Sequence, residues 1–167
     1  MQRNQFLRSA ILTCGSVIAT GKIVSAKSMQ DPKPLEVSLV RDFVIAGHGD
    51  FAKTKQMLVE TPALLYATYD WKEGDFETAL EGAGHVGNKE IANYLINLGA
   101  RTNIFVLTML GKTQMVKSFL DTFPQYLNAR GPHGLTLLHH AQKGGDDSKE
   151  LLDYLQSKGL KETKMKL

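Results

Sequence analysis

The fold turns on two stretches laid against each other: "ETALEGAGHVGNKEIANYLINLGARTN", residues 77–103, and "GLTLLHHAQKGGDDSKELLDYLQSKGL", residues 134–160. Both carry a Thr, a Leu two residues on and an Ala three residues after that: Thr78, Leu80 and Ala83 in one, Thr136, Leu138 and Ala141 in the other. Each continues with a Gly turn, a second segment whose apolar residues fall at helical spacing, and a Gly four residues after a Leu. The pattern predicts helix, tight turn, helix and glycine stop. Thr78 and Thr136 stand where a side-chain oxygen can cap the first helix. Gly87 and Gly145 free the turn, and Gly99 and Gly159 accept the left-handed conformation that ends the second helix.

Two weaker units flank and separate these. "AGHGDFAKTKQMLVETPALL" (46–65) has Gly49-Asp50 at its turn and Met57-Leu58 on its second helix. "MLGKTQMVKSFLDTFPQYLNA" (109–129) has Gly111 at its turn, and Met115, Val116, Phe119 and Leu120 spaced for one buried face. The turn glycines 49, 87, 111 and 145 are separated by steps of 38, 24 and 34.

A helix pair repeated along the chain resembles the ankyrin repeat, whose period is about 33 residues and whose first helix opens on Thr-Pro-Leu-His. Thr136-Leu137-Leu138-His139 matches except for Leu137, and Thr78-Ala79-Leu80-Glu81 matches at Thr and Leu. Residues 95–103, "LINLGARTN", follow the family's Leu-Leu-x-x-Gly-Ala-Asp-x-Asn ending, and Asn128-Ala129-Arg130 fits the same ending before Gly134. The expected fold is therefore all-α: an ankyrin-like helical solenoid of about four helix-turn-helix units over 35–160, with irregular hairpins and a frayed basic tail at 161–167. Stacking is required because one helix pair cannot bury its apolar stripe alone.

In such a unit a Thr-x-x-His histidine stiffens the junction into the first helix by bonding nearby backbone or the Thr hydroxyl. His139 and His140 point about 100° apart on a helix and cannot share one ion from one face. Both are expected to be structural. His48 and His85 fall just before inter-helix turns, beside the groove, and His133 lies at a hairpin tip. With Asp70 and Asp75 these histidines could form a metal or hydrolytic site, although no spacing demands one. No phosphate-cradling loop, nucleophile elbow or zinc-protease motif is present.

The remaining candidates are interfacial. Tyr69, Trp71, Asp75, Phe76 and Glu77 sit in the long hairpin "YDWKEGDF", where large rings beside acids have the composition of an interaction hot spot. Met109 and Leu110 are either core of the shortened third unit or an exposed sticky pair. The ankyrin resemblance implies a protein-binding module with no catalysis and no cofactor, monomeric, using hairpin tips and concave groove, with His48, His85 and His133 among the contacts. The alternative is a small-molecule or metal-binding protein built on the histidine groove, with a hydrolase as the third reading.

The first 26 residues differ in kind. Arg3 and Arg8 precede a short apolar run from Ala10 to Thr20, and Val24-Ser25-Ala26 offers small residues for cleavage. That is a secretory signal pattern, and it places the protein in the periplasm or outside the cell. "RNQFLR" resembles a twin-arginine signal with Asn4 in place of the second Arg. Residues 27–34, "KSMQDPKP", read as a linker. The chain's formal charge of +3 is carried by Arg3, Arg8 and Lys22, so residues 27–167 balance at zero and give no argument for nucleic acid. The single cysteine, Cys14, lies in the apolar run, so the mature chain has no thiol chemistry. A competing reading makes Cys14 a lipid-anchored N-terminus.

Overall fold

The computed structural model describes residues 33–167. The expected signal segment, Cys14 and nearly all of the expected linker lie outside them. The described chain is mostly helical, with eight α-helices in four consecutive pairs and one short β-ribbon. The pairs are α1 (Val37–Gly49) with α2 (Phe51–Glu60), α3 (Ala79–Val86) with α4 (Lys89–Asn97), α5 (Ile104–Met109) with α6 (Thr113–Thr122), and α7 (Leu137–Gly144) with α8 (Lys149–Ser157).

Each pair closes on itself, and the first helices α1, α3, α5 and α7 pack on one another in chain order. Short polar side chains start the helices by accepting the free N–H groups of their first turns. Asp50 accepts from Lys53 N–H, Asn88 from Ile91 N–H, and Asn103 from both Phe105 and Val106. Thr78 forms a full capping box with Glu81. Glu81 also accepts from Asn103 Nδ2 at 2.7 Å, which ties the start of α3 to the start of α5. One apolar cluster joins the first two pairs and takes Val106 and Met109 from α5; a second joins the last two and takes Ile104 and Phe105 from that same helix. Helix α5 thus serves both cores. Having only six residues, it also leaves the end of α3 free to touch α7 directly.

Several expectations are corrected. The long hairpin between the first two pairs is a regular antiparallel ribbon, β1 (Thr68–Asp70) with β2 (Phe76–Thr78), registered Thr68 to Thr78 and Asp70 to Phe76. Gly99 and Gly159 do adopt left-handed φ values of 95° and 93°, whereas Gly49 does not, because Asp50 makes that turn with its own side chain. Thr136 does not cap α7; its hydroxyl donates instead to the Glu162 carbonyl at 2.7 Å. That bond explains why the tail is not frayed. Thr136 N–H donates to the Thr163 carbonyl, Met165 N–H donates to the Gly134 carbonyl, and Leu135 bridges Lys164. Met109 is core, fully buried, and Leu110 is half-buried against the same cluster. No described helix is long and apolar enough to cross a membrane.

Candidate metal centre

The β-ribbon does more than connect. Successive strand residues point to opposite faces, so Phe76 projects outward and is 57% exposed while Glu77 turns inward and is completely buried. A buried carboxylate needs partners, and those come from three separate parts of the chain.

His48 lies in the last turn of α1. Its Nδ1 sits 2.9 Å from the Val44 carbonyl, one turn back. Gly82 makes room for the ring: a Cβ there would stand 2.8 Å from His48 ring atoms. His85 lies at the equivalent end of α3, and α1–α3 packing brings the two rings edge to face, with Nε2 atoms 3.0 Å apart. His133 arrives from the 3-10 turn Pro132–Gly134, with a left-handed φ of 61° that is uncommon outside glycine. Asp75 holds it there. One Asp75 oxygen accepts the His133 backbone N–H at 2.7 Å and the other meets Nδ1 at 2.9 Å. Trp71, packed edge-on against Tyr69, donates its Nε1–H to Glu77 Oε2 at 2.6 Å.

The partners fix the tautomers. A backbone carbonyl only accepts, so His48 Nδ1 carries the proton and, in the neutral ring, Nε2 is a lone pair. The Asp75 carboxylate sets His133 the same way, with Nε2 facing inward. Glu77 Oε1, buried and with no hydrogen bond of its own, stands at ion-pair distance, 2.7 Å, from His85 Nε2. His48 Nε2 therefore accepts from His85 Nε2–H at 3.0 Å, while the inward His133 Nε2 and Glu77 Oε1 have no donor of their own. Once the His85 proton is displaced, three imidazole nitrogens and a carboxylate oxygen face one point, an arrangement able to hold a cation.

The dimensions suit a metal ion. Ligands about 2.0–2.1 Å from a tetrahedral zinc are separated from one another by about 3.3 Å. The observed separations are 3.0 Å for His48 Nε2 to His85 Nε2, 3.5 and 2.7 Å from Glu77 Oε1 to the His48 and His85 nitrogens, and 3.4 Å from His133 Nε2 to the other Glu77 oxygen. The His85–Glu77 pair would have to open by about 0.6 Å to seat a tetrahedral ion. One ligand atom from each of His48, Glu77, His85 and His133 lies within 4.8 Å of every other. The second layer is in place as well: Asp75 behind His133, the Val44 carbonyl behind His48 and Trp71 behind Glu77 are the outer hydrogen bonds that orient metal ligands. His48 and His133 are 28% and 29% exposed, so one side of the cluster faces solvent.

Burial alone would raise the Glu77 carboxyl, but His85, His48 and the Trp71 N–H outweigh it and hold the group below the ordinary carboxylate range. Burial likewise pushes Asp75 up, and the His133 N–H and imidazole, helped by Lys72, pull it below its usual value. Both acids are therefore anions at neutral pH.

Of the residues singled out in the sequence, His48, Glu77, His85 and His133 meet, and Asp75, Trp71 and Tyr69 support them. Asp70 stays out, its carboxylate accepting from Gly74 N–H on the surface. Phe76 faces solvent, and Met109 and Leu110 belong to the apolar cluster. His139 and His140 both bond backbone carbonyls, but the local bond belongs to His140, whose Nδ1 is 2.8 Å from the Thr136 carbonyl. His139 reaches across to the His85 carbonyl on α3 at 2.8 Å. The sequence puts Glu77 among partner-facing residues and carries no sign of the room Gly82 makes for His48. The inward phase of a three-residue strand leaves no periodic signal in the sequence. Comparison with protein-family models, with curated proteins and with solved structures finds no match.

Proposed function

We propose that this chain is an ankyrin-like helical-repeat protein whose function is to bind one transition-metal ion through His48, Glu77, His85 and His133. The observation that carries this reading is the buried Glu77 Oε1, without a hydrogen-bond partner and facing imidazole nitrogens at coordination spacing. Three imidazoles and one carboxylate suit zinc first, with copper and nickel as competitors. Nitrogen and oxygen ligands are also insensitive to thiol oxidation, which fits the exported location read from the N-terminus. The protein-partner reading keeps exposed Phe76, but it needs Asp75 and Glu77 on the surface, and both are buried and committed to the cluster. No reaction is assigned to the centre.

The test is a zinc titration of the purified chain by calorimetry. One ion per chain with a Kd of about 1 μM or tighter is expected, weakened at least about 10- to 100-fold by His85→Ala or His133→Ala. Wild-type binding no tighter than that of a variant lacking all three histidines rejects the proposal.

A further inference from the structure

The tail that was expected to fray instead builds one wall of a cleft of about 720 Å³ beside the histidine cluster. That volume is in the range small-molecule ligands occupy. The opposite wall is the loop of the β-ribbon, and the turn carrying His133 lies between them. Four cations line the cleft: Lys72, Arg130, Lys164 and Lys166. Among the described residues none of the four has an ion-pair partner. Two carboxylates, Asp75 and Glu73, also line it, so four cations face two acidic side chains, one of them already bonded to His133 through both oxygens.

All four cations are exposed, so their mutual repulsion is screened by salt; what they offer an anion is several charges converging on one cleft. The cations also stand on ordered backbone. Arg130 Nη1 donates to the Lys166 carbonyl, and Met165 N–H donates to the Gly134 carbonyl, so Lys164 and Lys166 are carried on a strip fixed against the turn. A cation already in place loses less freedom on binding than one on a loose chain end.

We propose that this cleft binds a small molecule bearing an oxyanion group, carboxylate or phosphate, next to the metal centre. His133 and Asp75 line the cleft and also belong to the cluster, one as ligand and one as its support. An anion docked there lies against the residue pair that presents the metal's third imidazole. The cleft itself does not depend on the metal; only the coupling between the two rests on the metal reading above.

The test titrates the full chain with inorganic phosphate and, separately, with succinate, each by calorimetry at low salt on metal-free and zinc-loaded protein. Arg130→Glu and Lys164→Glu are measured alongside, with thermal melts to confirm folding. Lys166→Glu stands in for either variant that fails to fold. At least one anion is expected to bind with a Kd of about 1 mM or tighter. That binding should weaken about tenfold on each charge reversal and fall as salt rises, while zinc binding stays unchanged. The tighter of the two anions assigns the head group. Neither anion binding below about 10 mM, or reversals that leave affinity within about twofold, overturns the inference. Anion binding by a chain that takes up no zinc sinks the metal reading and leaves the cleft standing; zinc binding without anion binding does the reverse.

Discussion

Replacing Glu77 with Gln separates a metal centre from a purely structural polar cluster. The change is nearly isosteric and removes only the charge of a completely buried group. In the metal-free protein two effects oppose. The Trp71 N–H bond to Oε2 passes from charge-assisted to neutral, a loss of about 1 kcal/mol. Against it, the new amide N–H₂ at the Oε1 position can donate to the inward lone pair of His48, recovering about 1 kcal/mol from an oxygen that now has no hydrogen-bond partner. Net stability should therefore move by less than about 1 kcal/mol. Zinc affinity should fall about 100-fold or more, near 2.7 kcal/mol, because a neutral amide oxygen replaces the only anionic ligand. Were the cluster a structural ion network, losing its buried anion would instead cost about 3–5 kcal/mol. Urea unfolding of metal-free protein and zinc calorimetry on the same two samples decide the matter. A stability loss of about 3–5 kcal/mol with zinc affinity within about threefold of wild type refutes the reasoning.

Two further predictions test the frame around the site. His140 is buried, and burial, only partly offset by its bond to the Thr136 carbonyl, holds its imidazole at about 4 instead of 6.5. The unfolded chain therefore binds the extra proton first, so this contribution is complete above pH 6.5 and is lost as pH falls toward 4, up to about 3 kcal/mol. Urea unfolding at several pH values should show wild type losing that much more than His140→Asn, which keeps a donor near Nδ1 but does not titrate; parallel pH curves for the two would contradict it. Gly111→Ala should cost about 2–5 kcal/mol, since φ there is 65° and the new Cβ would stand 2.0 Å from the Asp147 carbonyl oxygen. Gly49→Ala, with open space and no left-handed backbone, should be neutral or stabilising by up to about 1 kcal/mol. Thermal melts of the pair check both, and equal melting temperatures would show that the turn geometry is misassigned.

The helix pairs were legible because helical periodicity, a cap such as Thr78, and stops such as Gly99 are local signals read a few residues at a time. The ribbon was not, since its strands are three residues each, too short for a period-2 pattern to stand out. The tail was misread for a related reason: its order comes from Thr136 and Gly134, some thirty residues away, and nothing in "LKETKMKL" itself announces those bonds. The site was half legible. His48 and His85 could be placed at equivalent ends of two first helices, and equivalence along a stack is proximity. His133 and Glu77 could not be added from spacing, because a left-handed turn residue and the inward face of a short strand bring them in. The charge of Glu77 argued for solvent, and only its contacts show why it is inside.

The most direct measurement is X-ray absorption at the zinc edge of the loaded full-length chain, read together with one-to-one uptake. Four light-atom ligands at about 2.0–2.1 Å are expected, with the multiple-scattering pattern of about three imidazoles and loss of about one imidazole in His133→Ala. A spectrum with six oxygen ligands and no imidazole scattering, unchanged in His133→Ala, would rule out a metal centre at the histidine cluster.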